Sequence, residues 1–146
     1  MKLMDILRVK GTNVHCIEPR ATLADVVRKL VDYKIGSLVV RDGFGAHQGG
    51  VVGIITERDI LKACADGCGA LADRKVEDSM TREVITGSPL DSIDETMGLM
   101  TERRIRHLPV MEGEELKGMI SIGDVVKAHH HMAVVENHYL ESYIQS

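Results

Sequence analysis

Cysteine is scarce in this chain. Cys16, Cys64 and Cys68 are an odd and sparse set, which argues against a disulfide framework and suits reduced thiols. Cys64 and Cys68 stand four positions apart near a predicted helix end and read as one buried and one surface thiol. No dense run of lysine and arginine occurs, and the formal net charge is −4. Nucleic-acid surfaces need clustered cations to displace counterions from phosphates, so nucleic acid is not an expected partner. No apolar stretch approaches the roughly 20 residues of a membrane-spanning helix, and residues 1–7 carry Lys2 and Asp5, unlike a signal peptide. The expectation is a cytoplasmic protein with no membrane partner. There is also no Gly-x-Ser-x-Gly elbow, no Walker phosphate loop and no recognisable pair of catalytic acids, so no enzymatic activity is expected.

What the chain does contain is one stretch twice. Gly53-Ile54-Ile55-Thr56-Glu57-Arg58-Asp59 returns 65 positions later as Gly118-Met119-Ile120-Ser121-Ile122-Gly123-Asp124. Each copy reads as a buried strand running into a helix that starts with a hydroxyl residue and has an acid three positions on. Ile60-Leu61-Lys62-Ala63 continues the echo as Val125-Val126-Lys127-Ala128. Upstream the spacing is 70, pairing Val14 with Val84, Pro19 with Pro89, Thr22-Leu23 with Ser92-Ile93, Ile35 with Ile105 and Leu38 with Leu108. The difference falls in the glycine-rich stretch 42–50, which is therefore placed as a surface loop. Two halves follow: 1–74, with an N-terminal helical segment and a connector, and 75–146, with an extended last helix.

Periodicity fills in the halves. A helix is predicted over 3–9, stopped at Gly11, and an extended segment over 14–17. Residues 22–33 form a helix with Leu23, Val26, Val27 and Leu30 on one face and a Thr22/Asp25 capping box. The β-branched runs 37–40 and 51–55 read as paired strands, with a helix from 58 to about 65. After a helical turn at 76–81, the second half repeats the order: strand 84–86, helix 92–103, strands 107–111 and 116–120, then a last helix from about 122 to Tyr143. The fold class is thus α/β, with β-α-β-β-α used twice. In that last helix His129, His130 and His131 point in directions about 100° apart, so they cannot converge on one ion, and no metal site is expected. Its apolar stripe Val125, Met132, Val135, Tyr139 and Tyr143 reads as packing or dimer surface.

Two tandem β-α-β-β-α units, the duplicated Gly-apolar-apolar-Thr/Ser-x-x-Asp segment, Val76-x-Asp78-x-Met80-Thr81 between them and Arg106-His107-Leu108-Pro109-Val110 before the second hairpin together resemble a tandem cystathionine β-synthase (CBS) domain pair, or Bateman module. The resemblance covers nearly the whole chain and is greatest to stand-alone bacterial and organellar members. It implies two CBS repeats packed with pseudo-two-fold symmetry, commonly dimerised into a disc. It also implies binding of AMP, ADP, ATP, NAD(H) or S-adenosylmethionine in clefts between the repeats, AMP foremost here. The expected role is a regulatory energy or redox-state sensor acting on an unidentified regulated protein. The alternative is a ligand-independent dimeric scaffold that recruits a protein through its last helix.

The residues suit that role. A strand ending at a helix start offers unpaired backbone N–H groups and the positive end of the helix dipole to a phosphate. Thr56 and Ser121 add hydroxyl donors, and Asp59 and Asp124 carry carboxylates able to accept both hydrogen bonds of a ribose diol. From the resemblance, adenine is expected against the short first strands at Cys16 and Thr86, with Ile35 and Ile105 as packing surfaces. Arg106 and His107 furnish cationic phosphate ligands where the first repeat has Gly36 and Ser37, so the Asp124 site is expected to bind phosphorylated ligands at least as tightly. Arg58 is the candidate cation for the Asp59 site, with Arg103 and Arg104 reaching across as the alternatives. By spacing alone both Asp motifs are also capping boxes, like Thr22-x-x-Asp25 and Ser92-x-x-Glu95 where no ligand is expected.

Overall fold

Each hydroxyl predicted to head a helix does so. In the computed structural model, which describes residues 1–43, 50–67 and 69–145, the side chain of Gln145 excepted, helix α2 (Leu23–Tyr33) starts at Thr22. Thr22 Oγ1 accepts the Asp25 N–H at 3.1 Å, and Asp25 Oδ2 accepts the Thr22 N–H at 3.0 Å. These bonds hold the half-buried Asp25 carboxyl below its ordinary range, the Thr22 backbone N–H being the largest cause. Leu23, Val26 and Leu30 turn inward as predicted. Helix α2 and α5 (Ile93–Arg103) both end in a non-glycine residue in the left-handed region, Lys34 at φ 55° and Arg104 at φ 54°, so the repeat extends to how its helices stop.

The remaining elements, in chain order, are α1 (Leu3–Lys10), β1 (Cys16–Ile17), β2 (Ser37–Arg41), β3 (Val51–Thr56), α3 (Glu57–Ala65), a 3₁₀ turn (Leu71–Asp73), α4 (Val76–Ser79), β4 (His107–Glu112), β5 (Glu115–Ser121) and α6 (Ile122–Gln145). β1 pairs parallel with β2, which pairs antiparallel with β3; β4 and β5 form a second, two-stranded sheet. Among the described residues no helix is long and apolar enough to cross a membrane. The predicted glycine-rich loop falls largely at 44–49, and Cys68 at 68; both lie outside the described residues.

The chain divides into two compact units: Asn13–Ile85 with Gly113–Leu116, and Met1–Thr12 with Thr86–Glu112 and Lys117–Ser146. The first buries Ile17, Leu23, Val26, Leu30, Leu38, Val40, Ile55, Ala63 and Val76 in one aliphatic cluster. At about 1.5–3 kcal/mol for each fully buried side chain, this layer of helix on sheet is what holds β3 and the start of α3 in place. The second unit buries Leu3, Ile6, Leu7, Ile93, Met100, Leu108, Val110, Ile120 and Val125. The segment 1–12, attached to the first repeat in the sequence reading, thus packs with the elements of the second.

One predicted strand is absent. Residues 84–86 form no strand, and the ladder there is a single parallel bridge, Gly87 to Val110. In the first repeat the Val39 N–H donates to His15 O at 3.1 Å and carries β1 one residue further. The residue 70 positions beyond Val39 is Pro109, which has no N–H to donate. The bonds that remain run from the Gly87 N–H to Pro109 O at 2.9 Å and from the Met111 N–H to Gly87 O at 2.8 Å.

Candidate functional site

Both duplicated motifs build the same junction. At the first, Thr56 Oγ1 accepts the Asp59 N–H at 3.3 Å and Asp59 Oδ2 accepts the Thr56 N–H at 3.0 Å. At the second, Ser121 Oγ accepts the Asp124 N–H at 3.1 Å and Asp124 Oδ2 accepts the Ser121 N–H at 2.9 Å. The first helical N–H is anchored alike, Glu57 to Gly36 O at 3.1 Å and Ile122 to Arg106 O at 2.8 Å. Gly36 with Ser37, and Arg106 with His107, are therefore brought to the N-terminal ends of α3 and α6, beside Thr56/Asp59 and Ser121/Asp124. Ser37 is buried and registers opposite Thr56. Arg106 and Arg58 are exposed and His107 is half-buried.

The expected adenine-side residues are less open. Ile35 packs on the aliphatic cluster, and Ile105 is half-buried. The Cys16 carbonyl accepts Lys29 Nζ at 3.0 Å, so the main-chain acceptor of β1 has an internal donor. Burial pushes the Cys16 thiol up, outweighing Arg41 and Lys29, so it is a poor nucleophile. Thr86 is exposed beside the Gly87 bridge.

The motif glycines answer to packing. A Cβ on Gly53 would lie 2.7 Å from Met80 Sδ and 2.9 Å from Thr81 O; one on Gly118 would lie 2.5 Å from Leu7 Cδ2. The elements that lean on them are themselves equivalent. The Leu3 N–H donates to Asp91 O at 3.0 Å and the Met4 N–H to Pro89 O at 3.0 Å; the Val76 N–H donates to Ala21 O at 2.8 Å and the Glu77 N–H to Pro19 O at 3.0 Å. Helix α1 thus docks on the second repeat's residues as α4 docks on the first's. Asp5 matches Asp78 and Leu7 matches Met80 at a spacing of 73.

These segments also supply a donor to each motif aspartate, and here the repeats part. Thr81 and Ile54 exchange backbone bonds at 2.8 and 3.0 Å, and Thr81 Oγ1 donates to Asp59 Oδ1 at 3.2 Å. In the other unit a single Lys10 Nζ takes both places, donating to Met119 O at 2.9 Å and to Asp124 Oδ2 at 2.6 Å. Met119 is the counterpart of Ile54. Burial raises the Asp124 carboxyl, but Lys10 and the Ser121 N–H and hydroxyl outweigh it and hold the group below its ordinary range. Neither Lys10 nor Thr81 was among the residues singled out in the sequence as site residues.

His129 Nδ1 lies 3.2 Å from Asp94 Oδ1, and among the described residues no three His, Cys, Asp or Glu side chains converge as a metal site. Along α6 the apolar stripe splits: Val125 is buried, whereas Val135, Tyr139 and Tyr143 are 42%, 74% and 82% exposed.

Comparison with known proteins places the architecture. The CBS domain family model matches residues 5–66 and 75–131, so the chain belongs to the CBS domain family as two tandem repeats. It is similar to the mitochondrial CBS domain-containing protein CBSX3 of Arabidopsis thaliana, 40% identical over 127 residues, covering 85% of this chain and 60% of the relative, less than two thirds of its length. Among solved structures, a CBS-domain containing protein from Agrobacterium tumefaciens superposes with a TM-score of 0.81 at 39% identity, covering 88% of this chain and 99% of that one. The CBS domain pair of protein MJ0100, solved in complex with 5′-methylthioadenosine and S-adenosyl-L-methionine, gives a TM-score of 0.75 at 25% identity, covering 88% and 99%.

Proposed function

We propose that this chain is a regulatory module that binds an adenosine derivative at its two strand-to-helix junctions, without turnover, and acts in the cytoplasm as a homodimer on a regulated protein. AMP is the leading ligand, with ADP, ATP, NAD(H) and S-adenosylmethionine as the other candidates. One observation carries the reading: in each repeat a carboxylate, a hydroxyl and the start of a helix of nine or more residues meet at one point. Helix dipole and backbone N–H groups suit phosphate, and the carboxylate suits a vicinal diol. The adenosine compounds bound by the MJ0100 pair support the same class of ligand. Ser121, Asp124, Arg106 and His107 form one site, with Ile105 and Thr86 on the base side. Thr56, Asp59, Arg58, Gly36 and Ser37 form the other, with Ile35 and Cys16 in that place. The Asp124 site is the better furnished for phosphate, because Arg106 stands where the other has Gly36.

Calorimetric titration of nucleotide-free protein with AMP, ADP, ATP, NADH and S-adenosylmethionine tests this. Saturable binding of one or more, lost in Asp124→Asn or Asp59→Asn, is the expected result. Asparagine keeps an acceptor oxygen for the cap while removing the charge. No heat from any of the five contradicts the reading.

A second reading, the ligand-independent scaffold, is favoured by the outer half of α6, where Val134, Tyr139, Leu140 and Ile144 are exposed. It expects partner capture that persists in both asparagine variants and is lost when Tyr139 and Leu140 are replaced by serine.

A further inference from the structure

The donor on Asp59 and the donor on Asp124 differ in how they can leave. Thr81 is tied to Ile54 by a reciprocal pair of backbone bonds, so its hydroxyl can only rotate in place. Lys10 reaches Met119 O and Asp124 Oδ2 through its side chain alone, from the last position of α1. That side chain is 38% exposed, has four rotatable bonds and ends in a group that water solvates well. Its ammonium presents N–H donors to the carboxylate that a ribose diol would use.

We propose that Lys10 is an internal competitor for the ribose diol at Asp124, so that this site opens only when the lysine is displaced, whereas among the described residues no charged side chain occupies Asp59 in the same way. The proposal rests on the nucleotide-binding reading above and specifies how one of its two sites is regulated. Competition follows from chemistry: Asp124 Oδ2 already accepts the Ser121 N–H and Lys10 Nζ, and a diol that engages both carboxylate oxygens must take the place of the cation. Exchange of a charge-assisted bond for neutral hydroxyl bonds is unfavourable for a bare nucleoside, because the released ammonium gains only water. The opposition is modest, since the pair is partly exposed and screened by salt.

Adenosine is the probe, because it carries the diol and no charge. Its affinity for the wild-type protein, Lys10→Met, Lys10→Gln and Asp124→Asn is measured between low and high ionic strength, with 2′,3′-dideoxyadenosine as the ligand that lacks the diol. The expected result is a gain of about three- to fivefold in adenosine affinity in both Lys10 variants at low salt, the size of a partly exposed ion pair. Dideoxyadenosine shows no gain. Wild-type affinity for this neutral ligand should also rise with salt as the Lys10–Asp124 pair weakens, and the Lys10 variants should be flat; this arm needs no variant to fold. Adenosine binding that is lost in Asp124→Asn but identical in wild type and the Lys10 variants, and flat with salt, overturns the competition alone. Binding absent throughout, or untouched by Asp124→Asn, overturns the assignment of the site and the competition with it.

Discussion

In one repeat a threonine locked into a backbone bridge steadies the aspartate of the helix start; in the other a lysine that reaches it by its side chain alone does so. The surrounding geometry is the same, down to the glycine beneath, the carbonyl that accepts the first helical N–H and the hydroxyl cap. What varies is the three-residue difference in spacing, from 73 at Leu3/Val76 to 70 at Val14/Val84, which lengthens the exit from α1 and leaves Lys10 there. A duplicated fold can thus keep two copies of a strand-to-helix junction and make them unequal through the segment that leads into each. The inequality is electrostatic: a neutral hydroxyl on Asp59, a cation on Asp124.

The comparison is broken hardest at the glycines. Gly53→Ala should cost about 2–3 kcal/mol, because its Cβ meets the Thr81 carbonyl, a backbone atom that cannot yield without disturbing the Ile54 bridge. Gly118→Ala should cost about 1 kcal/mol, because the atoms in its way, Cδ2, Cδ1 and Cγ of Leu7, all belong to a side chain and none to the backbone. Equal losses in urea unfolding would mean that the two junctions are equally rigid. Next in size, Thr81→Val should destabilise by about 1 kcal/mol through the lost bond to buried Asp59 while leaving the backbone bridge intact. Amide exchange at Thr81 and Ile54 checks the second half of that statement.

Lys10→Met has the smallest effect, about 0.5 kcal/mol at neutral pH after allowance for solvent screening of the partly exposed pair. Its signature is the pH dependence. Asp124 is held below its ordinary range in the folded protein, so its contribution is complete above the unfolded value of about 4 and is lost as pH falls through the depressed folded value. The stability gap between wild type and Lys10→Met should therefore be widest near neutrality and close under acid. A gap that stays constant to pH 2 would show that the lysine acts through packing of its stem.

Much of this was legible locally. The Thr22 and Ser92 caps, the buried stripe Leu23, Val26 and Leu30, and the strand cores at 37–40 and 107–111 follow from spacing, because each depends on neighbours within a few residues. The motif aspartates were legible as repeated acids, and the local pairing of β2 with β3 brings Ser37 to Thr56. Residues 84–86 echo 14–17 without forming a strand, because that likeness says nothing of the partner strand, where Pro109 deletes a donor. Lys10 lies 114 positions from Asp124, and periodicity carries no information over that distance. The one usable signal was the echo of Asp5 and Leu7 in Asp78 and Met80, which marks α1 and α4 as equivalents.

The most direct test of two unequal sites is the NMR signal of the Lys10 side chain together with the Asp124 carboxyl carbon, followed during titration with AMP to saturation. AMP is expected to move the Lys10 ε-methylene to the position of a solvated or phosphate-paired lysine and to shift the Asp124 carbon with the same midpoint, while the Thr81 amide keeps its protection. Saturation by AMP with Lys10 still paired to Asp124 would contradict that expectation.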